Sequence, residues 1–424
     1  MIWSSTINAS LATFSEAWFV FVHGGWVIFG LLALWLAFQI YMMAINGRYL
    51  KGITWKFLHI KVEKENLQSL LAVEQIFAQL HALESTITWA GKYLEGQLQL
   101  WFSLEIVSLG GKISYIMRVP DKYVNLVESA FYAQFPSAEI TEVHDYMEHL
   151  KKWDPEKSSW DLWGTEWGML RDYAYPIKTY KDFEHPISEN KILDPLAGLL
   201  EALSKAEPHE LMAVQIDILP MKDSAWQPHA QETVNAFKGV KPEEKIGAFG
   251  KFINFFTGKT SVKKEEERIA AVQKLTEGEK RTLLAVETKM SKVGWGTKIR
   301  SLYIAPKDKM DNTKKTGIVG AFRQFSGITT NNLKPNMKIW TGYSYKVFQT
   351  LEQPFVDWVI AKRKERFIEG FANRDMWIGA DPVVLNAEEL TTLFHFPLAT
   401  TTTPPVERIE VKKGQPPANL PVAG

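Results

Sequence analysis

Cysteine is absent from all 424 residues. That excludes disulfides, thiolate nucleophiles, and zinc or iron–sulfur sites held by cysteine. A dominant charge is missing too. Lys and Arg number 49 against 48 Asp and Glu, so no bulk field draws the chain to a polyanion, and any basic patch must be local. No His-Glu-x-x-His pair offers zinc ligands at helical spacing, and no Gly-x-Ser-x-Gly elbow presents a serine nucleophile. Gly258-Lys259-Thr260-Ser261 looks like the end of a phosphate loop, but Ile253 stands where such a loop needs its first glycine to wrap backbone amides around phosphate. The acidic residues form no visible acid/base pair, and His395 between Phe394 and Phe396 reads as a packed histidine. The sequence therefore predicts no catalytic residue, no cofactor and no metal, in a protein that is not an enzyme.

A long apolar run is the first thing present. Between Trp18 and Ile45 the only strongly polar side chains are His23 and Gln39. As a helix this run reaches across the roughly 30 Å hydrocarbon layer with length to spare for tilt. Trp18 and Trp26 at one end, and Tyr41, Tyr49 and Trp55 at the other, suit the two membrane–water interfaces. Glu16 precedes the run with no Lys or Arg, whereas Arg48, Lys51, Lys56 and Lys61 follow it. The positive-inside rule then predicts a single-pass protein of the cytoplasmic membrane, N-terminus outside and C-terminal bulk in the cytoplasm. A cleaved signal peptide needs a basic start and a shorter apolar core, so the anchor is expected to stay. His23 reads as an interfacial residue beside Gly24 and Gly25, and Gln39 as a helix–helix hydrogen bonder. The expected boundaries are an external segment over 1–16 and a transmembrane helix over 17–47.

The fold class predicted for the remainder is α+β, with two ferredoxin-like βαββαβ modules. In the first, over 56–150, Phe57 to Val62 reads as a strand. Leu70, Val73, Ile76, Phe77, Leu80 and Leu83 recur at helical spacing. Leu98 to Ser108 and Ile113 to Val119 read as strands joined by Gly110-Gly111, where positive φ is easy. A helix follows Pro120-Asp121, with Val124, Val127, Phe131 and Phe135 facing inward, and Ala138 to Val143 closes the unit. The same grammar recurs over 165–345: Asp194 to Ala206 matches Ser69 to Leu83, Leu211 to Pro220 matches Ser103 to Ser108, and Lys298 to Pro306 matches Lys112 to Pro120. The second copy carries an insertion near 221–292, in which much of Ser261 to Met290 reads as a long exposed helix, the mark of a partner-contacting arm or a helical hairpin.

A helical segment is expected over 350–398. It holds the one dense basic cluster, Lys362, Arg363, Lys364 and Arg366. These four are candidate contacts for phosphate, on an anionic lipid leaflet or on nucleic acid. Glu365 and Glu369 interrupt the cluster, and an ordinary solvated helix face is the competing reading. Asn386 opens Asn386 to Pro397 as a helix cap with acidic residues in the first turn. The Pro/Thr-rich tail over 399–424 is expected to be extended and linker-like.

These stretches together resemble the N-terminal, non-motor region of membrane-anchored conjugation or type IV secretion ATPases of the HerA/FtsK superfamily, as found in candidate-phyla bacteria. The similarity lies in Leu70 to Leu83, Phe102 to Gly111, Arg118 to Pro136, Tyr303 to Pro306, Gly320 to Phe325, Asn386 to Pro397 and Pro416 to Pro421. In that family the closing Pro-Pro-x-Asn-Leu-Pro stretch leads into a motor domain, and the present sequence stops three residues after Pro421. The resemblance thus implies anchoring and assembly without ATPase activity, the motor being absent. It implies docking of a separately encoded ATPase, with Pro416, Pro417, Asn419, Leu420 and Pro421 as candidate docking residues. Membrane lipid is the other expected partner, and self-association and nucleic-acid binding are left open. The competing readings are a membrane enzyme with an unrecognised site and a general scaffold or receptor.

Overall fold

A computed structural model describes residues 19, 21–63, 68–183, 193–239, 275–327, 329–342, 349–398 and 406–408. The first half of the chain runs α1 (Trp26–Lys51), β1 (Trp55–Lys61), α2 (Leu70–Leu80), α3 (Trp89–Tyr93), β2 (Phe102–Leu109), β3 (Lys112–Pro120), α4 (Val124–Gln134), β4 (Glu139–Val143), β5 (Trp160–Met169) and α5 (Ala197–Ser204). Then come β6 (Leu211–Pro220), α6 (Asp223–Phe237), α7 (Glu277–Met290), β7 (Gly294–Pro306), α8 (Asn312–Phe322), β8 (Leu333–Pro335), α9 (Gln349–Asn373), β9 (Val383–Asn386) and α10 (Ala387–Leu393).

The chain divides into two compact units, one of residues 1–54 with 85–99 and one of 55–84 with 100–424. In the first, α1 follows a π-helical turn at Phe21–Gly25. An 18-residue stretch within its 26 residues reaches a mean hydropathy of 2.1, and its only charged residues are Arg48 and Lys51 in the last turn. Ile45 is its one buried residue. The helix is long and apolar enough to cross a membrane.

The second unit is α+β, built on one antiparallel sheet in the order β4-β1-β3-β2-β6-β7-β5-β8. β9 pairs with the start of β7. Period-two alternation gives each inner strand two chemically different faces. Phe102, Leu104 and Ile106 of β2, with Met212, Val214, Ile216 and Ile218 of β6, pack in one core with residues of α2, α4, α5, α8 and α10. Val107, Leu211, Ala213, Leu302 and Ile304 point the other way and pack with Phe367, Ile368 and Phe371 of α9. Further along that face the strands carry Ser103, Glu105, Gln215, Asp217 and Arg300, all buried. Gly110 and Gly111 sit at φ +57° and +84°, as a two-residue hairpin turn demands.

Several expectations need adjusting. β2 starts at Phe102, so Leu98 to Trp101 lies outside the strand, and β5 starts at Trp160, ahead of residue 165. The described part of the insertion is a pair of packed helices instead of one long exposed one. Leu283 and Val286 of α7 are buried with Val234 of α6, and the buried Lys289 ammonium lies 2.9 Å from Glu389. Charge density on α7 concealed this, because a single apolar stripe is enough to seat a helix. Asn386 does cap α10 reciprocally with Glu389, and the whole helix is buried. His395 is packed as expected, 2.8 Å from the Thr391 carbonyl and 3.0 Å from Asp194. In the tail, Val406 bridges Ile113 and Glu407 meets His59 and Lys112. Gly258 to Ser261 and Pro416 to Pro421 lie outside the described residues.

Candidate functional site

α9 reaches its place because Phe367, Ile368 and Phe371 recur at helical spacing and embed in the sheet. Each such side chain contributes roughly 1.5–3 kcal/mol when fully buried. Gly164 on β5 leaves the gap that Phe367 fills: a Cβ there would lie 2.1 Å from the Phe367 ring. The C-terminus of α9 is held by sheet donors. Gln215 Nε2 donates to the Phe371 carbonyl at 2.9 Å, and Trp101 Nε1 donates to the Arg374 carbonyl at 2.7 Å. Arg374 follows the helix at φ +52°, the left-handed position that commonly ends helices but here is not glycine. Its buried guanidinium donates to Glu105 at 2.8 and 3.2 Å and lies 2.8 Å from Asp145.

Beside it a second buried arginine organises the floor of a cavity. Arg300 donates to Glu166 at 3.0 Å, Asp217 at 2.8 Å and Gln215 at 3.2 Å. Its remaining Nη2 donates to the carbonyls of Asp375 at 2.6 Å and Ile378 at 2.7 Å. All five donor positions of the guanidinium are thereby used. Glu166 also accepts from the Ala380 N–H at 2.8 Å, so its charge is spent internally. Burial lifts the Asp217 carboxyl to about 6 even with Arg300 beside it. Burial, then the Arg300 charge, lowers the Lys298 ammonium to about 8. Gly379 closes this corner at φ +107°, and a Cβ there would lie 2.1 Å from Glu166 Oε1.

The cavity above this floor has a volume of about 390 Å³. Lys338, Lys362, Arg363 and Arg366 line it together with Trp358, Val359 and Phe367. Val359, Lys362, Arg363, Arg366 and Gly370 lie three, four, seven and eleven residues along α9, which is one helix face. Trp358 is 60% exposed, and Phe355 stacks on it with ring centroids 6.3 Å apart.

The four cations singled out from the sequence therefore do not form one patch. Lys362, Arg363 and Arg366 line the cavity, while Lys364 turns away to Asp161 at 2.7 and 2.8 Å. The reason is the roughly 100° step per residue of a helix. Lys362 shares its charge with Glu365 at 2.7 Å, and Arg363 reaches the carbonyls of Met337 and Trp340 at 3.4 and 3.3 Å. Lys338 and Arg366 have no carboxylate partner among the described residues. Sequence reasoning missed Lys338, Trp358, Glu166 and Arg300. Arg300 left one signal, a cation inside the apolar strand Lys298 to Pro306. Lys338 left none.

Chemically, the arrangement suits an anion. Excess positive charge faces it, an aromatic face borders it, and its one acid is neutralised by Arg300. Among the described residues no group of three or more His, Asp and Glu is placed to hold a metal ion. No family model matches the chain, and no curated protein matches it.

Proposed function

We propose that the chain is a non-catalytic, membrane-anchored component of a type IV secretion or conjugation-like transfer apparatus, and that it docks a HerA-type ATPase. In this reading α1 spans the cytoplasmic membrane with its N-terminus outside, in keeping with Arg48 and Lys51 at its C-terminal end. The second unit is read as two ferredoxin-like halves. Their support is the strand order β4-β1-β3-β2 in one half and its reverse, β6-β7-β5-β8, in the other. The observation that carries the function is the α9 face. Lys338 and Arg366, which have no carboxylate partner among the described residues, line a cavity with the exposed Trp358, on which Phe355 stacks, while Glu166 and Asp217 beneath are engaged by the buried Arg300. Aromatic and arginine side chains around a pocket are what protein interfaces concentrate at their centres.

The test is co-purification of the tagged full chain, in detergent, with the HerA-type ATPase of the same genome. Charge reversal at Lys362, Arg363 and Arg366 together should release the ATPase, and Lys364→Glu should release it less. Absence of any association, or association indifferent to the triple reversal, sinks the proposal. The charge around the cavity favours one second reading, phosphate of nucleic acid or of an anionic leaflet on the same face. Its signature is binding that weakens steeply with salt and persists without the ATPase.

A further inference from the structure

Residues 85–97 were given no role by the sequence, yet the segment 85–99 belongs to the same compact unit as α1. The attachment is specific. Tyr41 of α1 donates its hydroxyl to the Tyr93 carbonyl at 2.9 Å, and the Phe38 and Tyr93 rings lie 6.2 Å apart. Gly96, at φ +70°, lies directly on the α1 backbone, where a Cβ would come within 2.4 Å of the Ile45 carbonyl. The loop is also internally braced. Thr88 caps α3 by accepting from the Gly91 N–H at 3.1 Å, and Ser85 closes the base on Gln99 with bonds of 2.7 and 2.9 Å. A loop fixed this well nevertheless leaves Trp89 71% exposed and Leu94 62% exposed.

Position along α1 identifies what covers them. At 1.5 Å per residue, Tyr41 lies roughly 30 Å beyond Phe21, one hydrocarbon thickness along the apolar rod. Arg48 and Lys51 follow within the same helix, and Lys92 stands on the loop beside Tyr93. Tryptophan and tyrosine favour that depth because an apolar ring and a polar N–H or O–H are both satisfied there. Lysine can extend its ammonium to lipid phosphates from the same level.

We propose that the 85–99 loop is a second membrane contact, an interfacial foot that inserts Trp89 and Leu94 among the lipids beside the C-terminal end of α1. It rests on the reading of α1 as a membrane span. The foot would fix the tilt and rotation of α1, which a lone helix leaves free.

The lack of cysteine makes the test direct, since one introduced thiol carries one label. The full chain is reconstituted in vesicles of phosphatidylcholine with phosphatidylglycerol. An environment-sensitive fluorophore is attached in turn to Trp89→Cys, Leu94→Cys, Leu32→Cys and Lys205→Cys. Labels at 89 and 94 should be quenched by lipid-borne nitroxide and shielded several-fold from aqueous iodide, relative to the label at 205. If 89 and 94 behave like 205 while 32 is buried in lipid, the foot is wrong and the span stands. If 32 also behaves like 205, the span itself fails. A Trp89→Ser, Leu94→Ser variant supplies a second readout: α1 inserts as before, but the mobility of a spin label at the exposed residue 43 of α1 rises.

Discussion

The earlier and later halves of the sheet follow mirrored strand orders, but they handle the same two problems differently. Each must join its two inner strands, and each buries an arginine against acids on the same sheet face. In the earlier half β2 and β3 are joined by Gly110-Gly111 alone, whereas β6 and β7 are separated by α6, α7 and the chain between them. Arg374 closes on Glu105 and Asp145 with Phe57 and Tyr146 over it, sealing the earlier cluster. Arg300 binds Glu166 and Asp217 but underlies an open cavity. Strand pattern sets up a buried charge in both halves; what covers it decides whether a ligand can approach.

The sharpest way to break that comparison is to remove each arginine. Arg374→Ala strands Glu105, and Arg300→Ala strands Asp217 and Glu166, so each should cost about 3–5 kcal/mol in denaturant unfolding of the full chain in detergent. Only the Arg300 change should also alter ATPase association, because only that cluster underlies the cavity. Equal effects on association would mean the two clusters are not functionally distinct.

A pH titration probes the later cluster alone. The Asp217 carboxyl is held at about 6 in the folded chain against an ordinary 3.8. A raised folded value means its stabilising contribution is complete below the ordinary value and is lost as pH rises through the folded one. The stability of the wild type relative to Asp217→Asn should therefore fall by roughly 3 kcal/mol between about pH 4 and pH 6. A flat difference would show that burial does not control this group.

Two glycines test the joints. Gly379→Ala combines an unfavourable φ with collision on Glu166, and should cost about 1–3 kcal/mol by thermal unfolding. Gly110→Ala should cost about 1–2 kcal/mol, since a side chain must accept a left-handed turn. An unaffected midpoint in the latter would mean the β2–β3 turn relaxes into another type.

Much of the secondary structure was legible. Alternation located β3 and β7, glycine chemistry located their difference, and Asn386 with Glu389 announced α10. α6 went unread because Pro228 and a weak apolar stripe disguise it. The pairing of β2 with β6 also left no mark: no turn joins them, and a strand buried on both faces looks the same whichever edge it meets. Of the cavity, only three α9 cations could be suspected, because a basic run on a helix announces its charge but not its neighbours.

What the sequence by itself determined is local or additive: the apolar length of α1, the charge on its two sides, the periodicities of strands and helices, and the turn at Gly110-Gly111. These depend on neighbours within a few residues, so the order of side chains is sufficient. Tertiary structure decided everything that joins distant segments. It merged nine strands into one sheet, sent Lys364 to Asp161 while Lys362 and Arg366 faced the cavity, and placed Gly96 on α1. Those outcomes are set by which surfaces exclude water together, and a buried charge or a close backbone approach acquires its meaning only from the partner brought against it.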